Sequence, residues 1–245
     1  MDTVISRDGT AIAFDRRGYG GPPLVLVGDG AAHRRVRTPL AEALAARFTV
    51  YTYDRRGRGD SGDILPWAPE REFDDLRAVL EAAGGLPYVV GGSVAALVVL
   101  AAAARGLPIG RVAVWEPSLG GTEVAGYDAA MARAFSAAAM VTVGAPVLVA
   151  DSGLDAGMTA DCTALAAVLP DAERRTLHGQ PHDPDPAALA ETLTAFYRGG
   201  EPERAAFFED GEPGRRGAPR SPIAVSRRVA ARGRPYGPGP RSAPR

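Results

Sequence analysis

Three residue types in this chain could together perform acyl chemistry, and each stands in a segment that invites it. Ser93 sits in Tyr88-Val-Val-Gly-Gly-Ser-Val-Ala-Ala, between a β-branched run and a long alanine-rich apolar run. A serine at such a junction is either a nucleophile raised on a sharp strand-to-helix turn or the N-cap of the helix that follows. A serine hydroxyl is a weak nucleophile and needs a base. The chain has three histidines, His33, His178 and His182. His182 lies in the polar loop HGQPHDPDP, where a packed core role does not suit it, and it is the expected base. His178, at a strand end, suits a surface or supporting role. His33 follows GDGAA and is a candidate substrate contact.

The base in turn needs a carboxylate to fix its tautomer. Asp155, in VLVADSGLDAG, is the preferred residue because it lies far enough beyond its strand for a loop to curl toward the histidine. Asp151, directly after VLVA, and Glu116, which ends VAVWEP, are the alternatives. Asp183 is discounted, since a side chain does not readily turn back onto its neighbour's ring.

The elements that must position these residues follow from the apolar pattern. TVIS and TAIAFDR read as two short strands joined at Asp8-Gly9. From Pro22 to Tyr197, strands alternate with helices. The strands are PPLVLV, FTVYTY, PYVVGG, RVAVWE, APVLVA and AERRTL. The helices fall at 38–47, 69–83, 94–105, 127–141, 158–169 and 186–197. Short, nearly all-apolar strands are covered on both faces, which predicts an α/β fold with a mostly parallel sheet and an antiparallel N-terminal edge. In such sheets ligands bind beyond the carboxyl ends of the strands, where Ser93, Glu116, Asp151, Asp155 and His182 all fall. In the helix at 69–83, Phe73, Leu76, Val79 and Leu80 form the apolar stripe, and Glu70, Glu72, Asp74 and Asp75 the expected solvated face.

Composition bounds the rest. The chain has 245 residues, 46% of them hydrophobic, enough for one sizeable core. Its net charge of -1 is unevenly spread: residues 213–245 carry nine arginines and no acid. The domain is expected to span 1–199. The proline-, glycine- and arginine-rich tail at 200–245 is expected to be disordered at least over 213–245. Its basic run is weak ground for nucleic-acid binding, so the expected partner is a small-molecule substrate. One cysteine, Cys162, allows no intrachain disulfide. The N-terminus lacks the pattern of a secretory signal, and the longest apolar run, Val94 to Ala104, is far short of the roughly 20 residues that span a bilayer. A cytoplasmic location with no membrane contact is the expectation. Neither a dinucleotide fingerprint nor clustered metal ligands are present, so no cofactor or metal is expected.

Taken together, PPLVLVGDG, YTYDRRGRGDSGD, VVGGSVAA, VAVWEP, APVLVADSGLD and RRTLHGQPHD resemble the α/β-hydrolase superfamily over about residues 3–199, and within it the small bacterial hydrolases with almost no cap. The resemblance implies Ser93 as nucleophile, Asp155 as the acid after the seventh strand and His182 as base. It implies an oxyanion hole from the N–H groups of Val94 and Gly30. A short lid is expected at about 117–145, with Met131, Phe135, Met140 and Trp67 as candidate pocket borders. Two positions depart from the family pattern: Ala95 replaces the second glycine of Gly-x-Ser-x-Gly, and Asp29 stands in the loop where His-Gly is common. The implied activity is hydrolysis of a small or apolar ester-like substrate through an acyl-enzyme. The alternatives are a cofactor-free haloperoxidase-like or carbon–carbon bond hydrolase on the same scaffold, and a catalytically inactive binding protein.

Overall fold

In the computed structural model, residues 1–28, 33–119, 137–180 and 182–199 are described. Eight strands form one sheet: β1 Asp2–Ile5, β2 Ala11–Arg17, β3 Pro23–Val27, β4 Thr49–Tyr53, β5 Tyr88–Gly92, β6 Arg111–Trp115, β7 Val147–Asp151 and β8 Ala172–Thr176. Their spatial order is β1-β2-β4-β3-β5-β6-β7-β8. The β1/β2 and β2/β4 pairs are antiparallel, and all later neighbours run parallel. This is the α/β sheet with an antiparallel N-terminal edge that the apolar pattern predicts.

The helices are α1 Thr38–Leu44, α2 Pro69–Ala83, α3 Ser93–Ala104, α4 Ala137–Met140, α5 Ala156–Val168 and α6 Pro186–Arg198. Strand side chains alternate between the two faces, and the core divides accordingly. Val25, Tyr51, Val89, Val112, Val114 and Val149 pack with α2, α3 and α5. Leu24, Leu26, Val50, Val90, Ala113 and Trp115 pack with α1 and α6. Each fully buried Val or Leu contributes about 1.5–3 kcal/mol, so this two-sided apolar sheet is what holds the strand ends in register.

Helix α3 is apolar all round, and every residue from Ala95 to Ala103 is buried, as expected of a helix enclosed in a core. Among the described residues no helix is long and apolar enough to cross a membrane. Helix α6 is pinned to the other face near its C-terminus. The buried Tyr197 hydroxyl donates to the Val89 carbonyl at 2.9 Å, and its ring stacks on Tyr88 with centroids 4.8 Å apart. The loop that precedes α6 carries His182.

The segment after β4 departs from the expectation for α2. Glu72 and Asp75 are not on a solvated face; both are 0% exposed. Arg55 donates to both oxygens of Glu72, each at 2.9 Å. Arg56 donates to both oxygens of Asp75, at 2.8 and 2.7 Å, and to Asp8 at 2.9 Å. The arginines arrive from the β4 loop, so the buried face of α2 is part apolar and part ionic. Asp54, at the start of that loop, accepts from the Arg34 N–H at 2.5 Å, from the Arg34 guanidinium and from the Asp60 N–H at 2.9 Å. Gly59 is required here: its φ is +54°, and a Cβ would lie 2.2 Å from the Asp54 carboxylate.

Candidate active site

Strand β5 ends in Gly91-Gly92, and the chain turns directly into α3. A Cβ on Gly91 would stand 2.7 Å from the Ala95 carbonyl oxygen. The strand end and the first helical turn are thus pressed together, and only glycine fits between them. Ser93 takes the turn with φ +49°, a left-handed conformation costly for a residue with a side chain. The helix cap is Gly92, with φ -103° and ψ 156°. Ser93 therefore is not the N-cap of α3, and the capping alternative fails on backbone geometry. Ala95 is fully buried in the core, so its methyl is accommodated as packing, and the tight approach falls on Gly91. Val94 lies in the first helical turn, where a backbone N–H has no partner four residues back.

The next strand repeats the device. Gly92 on β5 is paired with Trp115 on β6, so Ser93 and Glu116 leave adjacent parallel strands at one level. Glu116 has φ +42°, and among the described residues these two are the only non-glycines with positive φ. Backbone strain of about 1–3 kcal/mol per residue persists only where the surroundings enforce it. Here both strained residues stand directly after their strands, at the carboxyl edge of the sheet.

Glu116, rather than Asp155, meets the histidine. Its Oε2 lies 2.5 Å from His182 Nδ1. A carboxylate only accepts, so Nδ1 carries the hydrogen and a neutral ring keeps the Nε2 lone pair. The histidine is held at a second point, since the Trp115 indole N–H donates to the His182 carbonyl at 2.8 Å. Trp115 belongs to the face packed by α6, which explains why its indole can reach the loop leading into that helix. The His182 side chain remains 62% exposed, whereas that of Glu116 is 6% exposed. Burial pushes the Glu116 carboxyl up, but hydrogen bonds from the Ser152 hydroxyl, from His182 and from the Ser152 N–H outweigh it and hold the group below the usual carboxylate range.

The preferred acid, Asp155, is engaged elsewhere. It is the N-cap of α5 and accepts from the Met158 N–H at 2.7 Å. Helix α5 begins at Ala156, two residues before the sequence-based boundary, and the aspartate just outside it is spent on the helix end. Asp151 is buried at the end of β7, where it pairs with Arg174 of β8 and accepts from the Gly153 N–H at 2.9 Å. Neither is hydrogen-bonded to His182, whose partners among the described residues are Glu116 and Trp115. The signal for Glu116 was present in VAVWEP, an acid directly after a strand; the signal against Asp155 was its place three residues before Met158 at a helix start.

Of the remaining candidates, His33 is exposed and flanks the short 3-10 turn Arg34–Arg37. Trp67 donates its indole N–H to Glu72 at 3.2 Å, which ties it to the ionic cluster of α2. Met140 is buried in the core. Asp29, Gly30, Met131, Phe135, most of the 117–145 segment and the tail at 200–245 lie outside the described residues. Two contributors went unremarked in the sequence, Trp115 and Ser152. A buried indole N–H needs an acceptor, which could have singled out Trp115. Ser152 is set by tertiary contact alone.

No protein-family model matches the chain, and no curated protein does. Solved structures do. An α/β hydrolase from Sphaerobacter thermophilus DSM 20745 is 35% identical, with 80% of this chain and 100% of that one covered at a TM-score of 0.72. A hydrolase from Pseudomonas aeruginosa PA01 is 18% identical, covering 80% of this chain and 97% of that one at a TM-score of 0.66. A thermophilic esterase from Thermogutta terrifontis, solved with malate bound, is also 18% identical, covering 81% and 98% at a TM-score of 0.64. The two more distant structures speak for the fold alone.

Proposed function

The chain belongs to the α/β-hydrolase superfamily, and on that premise we propose that it is a serine hydrolase acting on a small or apolar ester-like substrate, with Ser93 as nucleophile, His182 as base and Glu116 as the orienting acid. The observation that carries this reading is the pairing of two strained strand ends. Ser93 and Glu116, both left-handed, leave neighbouring strands together, and Glu116 holds His182 Nδ1 at 2.5 Å.

In this reading Ser93 Oγ attacks the substrate carbonyl while His182 Nε2 takes the hydroxyl proton. The imidazolium so formed is stabilised by the ionised Glu116 against Nδ1. Negative charge on the tetrahedral intermediate is met by the Val94 N–H, at the N-terminal end of α3, and by the Gly30 N–H. His182 then delivers its proton to the leaving alcohol, and the acyl group stays on Ser93. A water molecule then loses a proton to His182 and attacks the acyl carbon; the bond to Ser93 Oγ breaks, Oγ takes the proton back from His182, and the acid is released. The chemistry calls for no metal or organic cofactor.

The test is covalent labelling with a fluorophosphonate, with the labelled peptide identified by mass spectrometry. The wild-type protein is expected to label on Ser93, and Ser93→Ala not at all. A folded wild-type protein that resists the reagent overturns the reading. A panel of p-nitrophenyl esters and β-diketones, assayed alongside, separates ester hydrolysis from carbon–carbon bond cleavage.

A further inference from the structure

Ser152 directly follows β7, in the stretch where the sequence places the acid. Its residue is 3% exposed. Its N–H donates to Glu116 Oε1 at 3.0 Å, and its hydroxyl reaches the same oxygen at 2.5 Å. The hydroxyl oxygen also accepts from the Leu154 N–H at 3.3 Å. A serine hydroxyl has a single proton to give. With Leu154 facing a lone pair and Glu116 able only to accept, that proton points to Oε1.

Both donors of Ser152 thus converge on one carboxylate oxygen, and His182 occupies the other. A carboxylate anchored at Oε1 by a single bond could still swing about it. Two donors from one residue fix both its position and its plane. The anchor is itself rigid: the Glu116 N–H donates to Ala150 at 2.9 Å, so β6 and β7 remain paired up to the residue before Asp151. Loss of the hydroxyl would leave Oε1 with the backbone N–H alone.

We propose that Ser152 is a positioning residue for the reaction: it holds Glu116 Oε1 so that Oε2 meets His182 Nδ1 in the orientation that keeps Nε2 available to Ser93. The proposal rests on Glu116 being the acid of the site. It assigns to β7 a supporting task, since the carboxylate itself comes from β6. A serine that merely satisfied a buried acid would affect stability and leave turnover per folded molecule unchanged, which gives the two roles different signatures.

The experiment compares wild type, Ser152→Ala, Ser152→Thr and Glu116→Gln. The readouts are p-nitrophenyl acetate hydrolysis, the fluorophosphonate labelling rate, and the low-field proton resonance of the His182 Nδ1–H. Removing a hydrogen bond to a charged group predicts that Ser152→Ala lowers kcat about tenfold with KM within about twofold. It should also slow labelling of Ser93 and shift the low-field resonance. Ser152→Thr, which keeps the hydroxyl, should restore most of the rate. Should the threonine methyl not fit, the resonance and the kcat-against-KM split in Ser152→Ala still decide. A folded Ser152→Ala protein with wild-type kcat and an unmoved resonance overturns the proposal while Glu116→Gln remains impaired. Wild-type turnover in Glu116→Gln would instead remove the acid assignment itself, and the proposal with it.

Discussion

Two regions beyond the carboxyl edge of the sheet handle buried charge in opposite ways. After β4, Arg55 and Arg56 close onto Glu72 and Asp75 with two hydrogen bonds each, and Asp54 receives Arg34 and two backbone N–H groups. After β6, Glu116 pairs with no arginine among the described residues. It accepts a neutral hydroxyl, a backbone N–H and an imidazole whose ring is largely exposed. A guanidinium is charged at any ordinary pH and fixes its partner permanently. An imidazole can take and return a proton while its carboxylate partner stays ionised. The first region is therefore a clamp that shapes a loop, and the second can take part in a reaction cycle.

This contrast is sharpest at the carboxylates. Glu116→Gln keeps the shape of the side chain but lets an amide face Nδ1, which favours the wrong histidine tautomer. A loss in kcat of about 10³- to 10⁴-fold is expected, with thermal stability close to wild type. Full retention of ester hydrolysis would show that the two regions do not differ in function.

Glu72→Ala should do the reverse. Removing one partner of a buried ion pair costs about 3–5 kcal/mol, read as a lowered midpoint in urea denaturation, with activity per folded molecule retained. The deficit should depend on pH. Burial pushes the Glu72 carboxyl up, but Arg55 and the Trp67 N–H more than offset it and hold it below the usual range. Its contribution is thus complete above the ordinary carboxylate range and is lost as pH falls through its lowered value. The gap between wild type and Glu72→Ala should narrow in acid.

The smallest effect is expected at the acid favoured on sequence grounds. Asp155→Ala removes a helix cap, worth about 1 kcal/mol, and should leave hydrolysis nearly unchanged. A large loss of kcat in this variant would return Asp155 to the site and break the contrast drawn between Glu116 and the other carboxylates.

How much was legible beforehand varied with the range of the interaction concerned. The helix Pro69–Ala83 and the strands around Val25, Val89, Val112 and Val149 follow from apolar periodicity, a local property, and were read nearly to the residue. Two of α2's acids, Glu72 and Asp75, look solvated until the arginines of a loop from another strand are placed against them, whereas Glu70 is exposed as expected. At Asp155 the reason is related: a two-residue shift in where α5 begins turns a free loop carboxylate into a cap. Ser152 gave no local signal at all, since its meaning lies in a contact 36 residues away in the chain.

The sequence by itself determined the alternating α/β architecture, the glycine-hinged turn that carries Ser93, and the polar loop that carries His182, because each depends on residues within a few positions of one another. Only the tertiary structure decided which carboxylate contacts the histidine. Glu116 and Asp155 follow strands and Asp151 ends one, and their local settings do not rank them. The parallel pairing of β5 through β8 does: it brings Glu116 level with Ser93 and gives Asp151 to Arg174, while Asp155 stands at the head of α5.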